Sequence, residues 1–303
     1  MIGAIVLVYL IREDEMVYHT ELLDLRNDFV FKSFFIRANH LLIDFLNTIL
    51  DFTIVKADII NPNLELMHSD VKFSTMDLKV ETEKGERINI EMQIQSHEAF
   101  PERMLMYWAK MYATQDNKGK SYKKLNRAIQ IIVTDCKLLP KPNYYSKFQI
   151  IDSEDGTVFS EHLELYILEL PKLNINQLKQ INKLEKWLLF FKANKKTKEA
   201  LAMESSVMKD AWDEIERLSQ DPKTVEIALS REFFLRDQLQ REEDALNKGH
   251  KIGKEEGKRE GREEAKVEII LSLYTSGVSV QKIAEATGFS VKNVERVIEN
   301  KFL

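Results

Sequence analysis

Cysteine is the scarcest chemistry in this chain of 303 residues: Cys136 stands alone, which excludes an internal disulfide framework and a cysteine-rich zinc site. A reducing, intracellular setting is the expectation that follows. The six histidines show no metal-ligand spacing. No glycine-rich phosphate loop and no Ser-His-Asp grouping is visible, which argues against nucleotide-triphosphate hydrolysis and acyl transfer. Long apolar runs are scarce as well. IGAIVLVYLI, residues 2–11, has ten residues, where a bilayer span needs roughly 20. It lacks the positive n-region and small-residue cleavage site of a secretory signal. It reads as an extra strand or as an extension upstream of a start at Met16, and the protein as soluble, cytoplasmic and without a membrane partner.

What is present suits one large domain with appendages, or two smaller ones. Hydrophobic residues make up 44% of the chain, enough for a sizeable core, and charged residues 31%, above the usual quarter. The net charge of −5 excludes a basic coat but leaves room for a local basic groove.

The stretch NDFVFKSFFIRANHLLIDFLNTIL, residues 27–50, reads as two short helices with Asn27 or Asp28 as N-cap. A β-rich region follows. KFSTMDLKVET and ERINIEMQIQ flank a loop containing Gly85, the signal of a hairpin. In RINIEMQIQ, residues 87–95, Ile88, Ile90, Met92 and Ile94 alternate with polar residues, which predicts one buried and one accessible face. Pro101 opens a predicted helix with Met104, Leu105, Trp108, Met111 and Tyr112 on its apolar stripe. RAIQIIVTD (127–135) and HLELYILELPKL (162–173) read as strands, and beyond Asn174 the pattern turns helical. Gly249, Gly253, Gly257 and Gly261 are spaced four apart in a charged segment that reads as a linker or a marginal helix, with the glycines on one stripe. At the end, residues 279–300 look like a helix-turn-helix. Gly288 makes the turn, and Val291, Val294 and Val297 face inward in the second helix. Lys292, Asn293 and Arg296 are its candidates for DNA contact, although a plain helical hairpin accounts for the same pattern.

The chemistry concentrates in the hairpin. Asp77 and Lys79 share one face of their strand, and Glu91 and Gln93 share the polar face of the next. Antiparallel pairing through the Gly85 loop would bring both patches to one surface, although the sequence leaves the register open. Two carboxylates of this kind suit Mg²⁺ or Mn²⁺ with substrate phosphate in the remaining positions. Asp77 and Glu91 would hold the ion, Lys79 would supply a cation, and Gln93 would orient water or phosphate.

Asp followed across a hairpin by Glu-x-Gln resembles the PD-(D/E)XK nuclease superfamily. More specifically, the chain resembles the Rpn family of recombination-promoting nucleases, also described as PD-(D/E)XK family transposases. The matching stretches are NDFVFKSFF, STMDLKVETEKGERINIEMQIQ and PERMLMYWAKMYATQDNKGKSYKKLNRAIQIIV, within residues 24 to about 170. The resemblance implies an α/β fold with a PD-(D/E)XK nuclease-like αβββαβ core and a helical C-terminal region. It implies Asp77 and Glu91 as metal ligands, the Met92 backbone carbonyl as a third, and Asp28 as an added acidic group whose competing job is helix capping. Gln93 departs from the superfamily pattern, because a lysine usually stands there and an amide cannot replace its charge.

Around this site Arg103, Tyr107 and Lys110 are candidates for phosphate contact. Lys118, Lys120, Lys123, Lys124 and Arg127, with Tyr122 among them, form a basic patch able to follow a DNA backbone. The expected organisation is an extension over 1–23, a nuclease-like domain over 24–173, a helical region over 174–247, the charged segment over 248–266 and a helical hairpin over 267–303. Two functions fit. One is a Mg²⁺- or Mn²⁺-dependent endonuclease on double-stranded DNA, linked to recombination or a mobile element, with a homodimer as the natural assembly for double-strand cuts. The other is a weakened nuclease fold acting as a DNA-binding or protein-interaction module.

Overall fold

Alternating and wholly apolar runs build a mixed sheet in the structure, a computed structural model that describes residues 22–61, 78–94, 99–115, 121–174 and 180–302. Among the described residues its strands are β1 (Ala57–Ile59), β2 (Leu78–Thr82), β3 (Arg87–Gln93), β4 (Ala128–Thr134), β5 (Tyr145–Ile151) and β6 (Val158–Glu169), ordered β1-β2-β3-β4-β6-β5. β1, β2 and β3 are antiparallel neighbours, while β3, β4 and β6 run parallel. Parallel neighbours need a crossover, and α3 (Phe100–Ala113) supplies it between β3 and β4. With α1 (Asp28–Arg37) and α2 (Asn39–Ile49) ahead of the sheet, this is the expected αβββαβ core, followed by helices.

The β2–β3 turn depends on glycine. Gly85 has φ +85°, its N–H donates to the Thr82 carbonyl at 2.9 Å, and the Asn126 side chain occupies the space a Cβ would need. The register that results pairs Leu78 with Ile90 and Lys79 with Asn89.

Helices cover both faces of the sheet. On one face Ile88, Ile90 and Met92 of β3 and Ile129, Ile131 and Val133 of β4 join the main core. Opposite them pack α1, α2, α4 (Lys183–Lys192) and α6 (Ser206–Gln220). α1 is buried from Phe29 through Phe35, and Phe31, Phe34, Phe35 and Phe45 surround Trp187 and Phe191 of α4 in edge-on and tilted contacts. On the other face Phe100 and Met104 of α3 pack on Ile132 and Ile167. Being covered twice, β4 is buried at every position from Ala128 to Thr134.

Two expectations change on these faces. The polar side of β3 is only partly open to water: α3 lies over it, Arg87, Glu91 and Gln93 are half-buried, and Asn89 is buried with its amide donating to the Gln130 side chain at 3.2 Å. Leu105, expected on the apolar stripe, is 51% exposed. The inner face of α3 follows Phe100, Met104, Tyr107 and Met111 at i, i+4, i+7 and i+11, which leaves Leu105 on the solvent side. At the start of α1 the cap is Asn27, whose side chain accepts from the Phe29 and Val30 N–H groups. Asp28 lies in the first turn and serves an ion pair instead.

The backbone divides into two compact units, residues up to Glu232 and residues from Phe233. α7 (Pro222–Thr275) begins in the first and continues into the second. The four spaced glycines lie within α7, exposed, with open space where each Cβ would go. Four residues advance an α-helix by about 400°, so successive glycines are offset by only about 40° and the four form one inclined stripe along the helix, as expected. In the second unit Ile270, Ile283, Ala284, Val294 and Ile298 form a small core, which joins α7 to α8 (Val280–Thr287) and α9 (Val291–Phe302). Gly288 closes α8 at φ +73°, its N–H bonded to the Ala284 carbonyl. Val291 is 39% exposed, contrary to expectation, because the inward positions are Val294, Val297 and Ile298 at i, i+3 and i+4.

Candidate active site

β3 positions the chemistry. Arg87, Asn89, Glu91 and Gln93 alternate onto the face under α3, and the strand is held on both edges by β2 and β4. α3 runs antiparallel to β3, so that its first turn meets the end of the strand and its last turn meets the start. Arg103 reaches Glu91 and Gln93, whereas Thr114 accepts a 3.3 Å hydrogen bond from Arg87.

The Arg103 guanidinium is the centre of the arrangement. Its Nη2 lies 2.9 Å from Gln93 Oε1 and 3.5 Å from Glu91 Oε1. The same guanidinium stands over the Phe100 ring at 5.6 Å and the Tyr107 ring at 6.0 Å. The Glu91 side chain is 17% exposed, so its charge is little screened. A cation therefore already sits between the oxygens of Glu91 and Gln93, and the donor chemistry there fits a positive ion. The Gln93 carbonyl accepts from Asp135 beyond β4 at 3.0 Å. Alternate residues of a strand direct their backbone groups to opposite edges, so the Met92 carbonyl points toward the β2 side. Among the described residues no group of three or more His, Cys, Asp and Glu converges.

The remaining predicted residues are distributed as follows. Lys79 lies on β2 opposite Asn89, exposed and on the same sheet face as Glu91. Asp77, Lys118 and Lys120 lie outside the described residues. Asp77 immediately precedes Leu78, the partner of Ile90 beside Glu91. Asp28 forms a two-pronged pair with Arg231 at the start of α7, Nη2 to Oδ2 being 2.5 Å and Nε to Oδ1 2.9 Å. Lys123 and Lys124 are exposed on a 3₁₀ turn capped by Ser121, with Tyr122 80% exposed beside them. Arg127 leaves the basic patch, because Glu161 holds its guanidinium over the Phe52 ring. Lys292 and Arg296 are exposed on α9 in the second unit.

Sequence reading alone missed two features. Arg103 was expected to meet phosphate, yet its nearest partners are Glu91 and Gln93. The groove between α3 and the β2–β3 face was not anticipated either. Arg87, Asn89 and Lys110 carry it, and the only prior signal was the set of polar residues on the helix face turned to the sheet.

No curated protein and no solved structure matches the chain. The sequence pattern of the PD-(D/E)XK nuclease family transposases matches residues 25–245, from the start of α1 through the sheet and into α7. A match over that much of the chain, on a fold with Glu91 and Gln93 under α3, means that the protein belongs to the PD-(D/E)XK nuclease family transposases.

Proposed function

We propose that the protein is a divalent-metal-dependent DNA endonuclease that hydrolyses phosphodiester bonds, acting in recombination or for a mobile element. The observation that carries this reading is the cation seat on β3, where Glu91 and Gln93 present oxygens to one positive group. In this reading Asp77 and Glu91 hold Mg²⁺ or Mn²⁺ with the Met92 carbonyl. When bound, the ion neutralises a phosphate oxygen and lowers the pKa of the attacking water. Lys79, on the same sheet face, stabilises negative charge developing on the phosphate, and Gln93 orients water through its amide. Arg103, whose guanidinium lies beside Glu91 and Gln93, would serve as a phosphate contact. Lys120, Lys123 and Lys124, and Lys292 and Arg296 on α9, follow the DNA backbone, and residues 24–173 form the nuclease domain.

Supercoiled plasmid incubated with Mg²⁺ or Mn²⁺ tests the assignment. Wild type is expected to nick it, and Glu91→Ala and Asp77→Ala to lose at least about 100-fold of that rate, the scale of losing a charge-stabilising group. Metal-dependent nicking that both substitutions leave intact would sink the site.

A second reading has one observation in its favour. Arg103 occupies the seat, and an arginine that stays there would keep an ion out and leave a DNA-binding or protein-interaction module. Folded wild-type protein that binds DNA and never cuts it would favour this reading.

A further inference from the structure

We propose that the groove between α3 and the β2–β3 face binds a single unpaired nucleotide, so that the strand to be cut reaches Glu91 locally opened and not as intact duplex. The inference rests on the nuclease reading and adds the form of its substrate. The groove has a volume of about 260 Å³, and its wall includes Lys79, Arg87, Asn89, Tyr107, Lys110 and Thr114. That is below the roughly 300 Å³ of small-molecule pockets, a size suited to one base and its sugar. A duplex, whose major groove alone is about 12 Å wide, cannot enter it.

The lining chemistry matches that ligand. Three cations, Lys79, Arg87 and Lys110, face the groove, and the described residues that line it include no carboxylate. Glu81 approaches Arg87 from outside it, at 3.7 Å. Tyr107 and Met111 supply an aromatic and a soft apolar surface, the pairing on which unpaired bases stack. Asn89 gives its amide nitrogen to Gln130 and leaves its side-chain carbonyl, an acceptor suited to a donor on a base edge, without a partner among the described residues. Asn89 and Glu91 are two residues apart on one strand face, about 7 Å, so a nucleotide in the groove is next to the phosphate at the cutting position.

The test uses the full chain without divalent ion, so that nothing is cut, and fluorescein-labelled oligonucleotides roughly 12 nucleotides long. Wild type is expected to bind the single strand about tenfold tighter than the duplex of the same sequence. Tyr107→Leu should weaken single-strand binding about tenfold through lost stacking. Tyr107 also touches the core, so the exposed Lys110 provides the independent variant. Lys110→Gln should reduce the slope of log affinity against log salt by about 0.7 for the single strand and leave the duplex unchanged. Equal or tighter binding of duplex, or a Lys110→Gln slope identical to wild type, overturns the proposal. The two readings separate cleanly. Cutting in Mg²⁺ without single-strand preference removes the groove and keeps the nuclease, whereas single-strand preference without cutting does the reverse.

Discussion

Single residues in the first unit carry charges that the fold has to manage. Lys198 of α5 (Lys195–Ala202) is 3% exposed, its ammonium 5.6 Å from the centroid of the Phe190 ring, and burial lowers its pKa from 10.5 to about 8. Below pH 8 the native and unfolded states are both protonated, and the native state bears the whole burial penalty. Between about 8 and 10.5 only the unfolded state stays protonated, so stability rises with pH across that window. At about 1.4 kcal/mol per pH unit the rise is up to roughly 3 kcal/mol. Lys198→Met should raise stability at pH 7 by up to that amount and flatten the rise, read by urea unfolding at pH 7 and pH 10.

Asp28 poses a similar question in α1. Its pair with Arg231 is largely buried, with side-chain exposures of 13% and 8%. Removing one partner strands the other, and Arg231→Met should cost about 3–5 kcal/mol. Adding Asp28→Asn should recover most of it. Plasmid nicking by the refolded double variant then tells whether the Asp28 carboxylate is needed for cutting or only for tying α7 to α1.

At the scale of elements, β3 and α3 form the functional unit in the proposed reading. The strand sets the spacing of Glu91 and Gln93, and the antiparallel helix lays Arg103, Tyr107, Lys110 and Thr114 along it. α7 follows a different logic. Gly249, Gly253, Gly257 and Gly261 each cost a helix up to about 1 kcal/mol against alanine, and none has a neighbour that a Cβ would touch. Changing all four to alanine should raise helical circular dichroism and its thermal midpoint while leaving nicking unchanged. A loss of helicity would mean that the glycines serve a contact that a methyl group blocks.

For the whole molecule, stability among the described residues rests on one large core, a small cluster under α3 and a third cluster in the second unit. Trp187 is fully buried among Phe34, Phe35, Phe45 and Phe191, and its indole N–H donates to Asp44 at 2.9 Å. Trp187→Ala should destabilise the first unit by about 3–5 kcal/mol. Calorimetry should show the main transition lowered by several degrees, with the helical signal of residues 233–302 melting as before.

Strands β2, β3, β4 and most of β6, the Gly85 hairpin, the α3 helix and the polar set of Glu91 and Gln93 were legible because each depends on neighbours in the chain, whereas β5 was not. Strand alternation, a glycine at positive φ and a proline at a helix start are local constraints, and local constraints are written in order along a sequence. What the tertiary structure decided depends on distant residues meeting. The Arg103 contact with Gln93 needs α3 to pack antiparallel on β3, and the burial of Asn89 needs Gln130 from the next strand. The loss of Arg127 from the basic patch needs Glu161, and the ion pair of Asp28 needs an arginine 203 positions away. Leu105 and Val291 were misplaced for the same reason: helical periodicity identifies a stripe, but only the partner surface selects which edge of that stripe is covered.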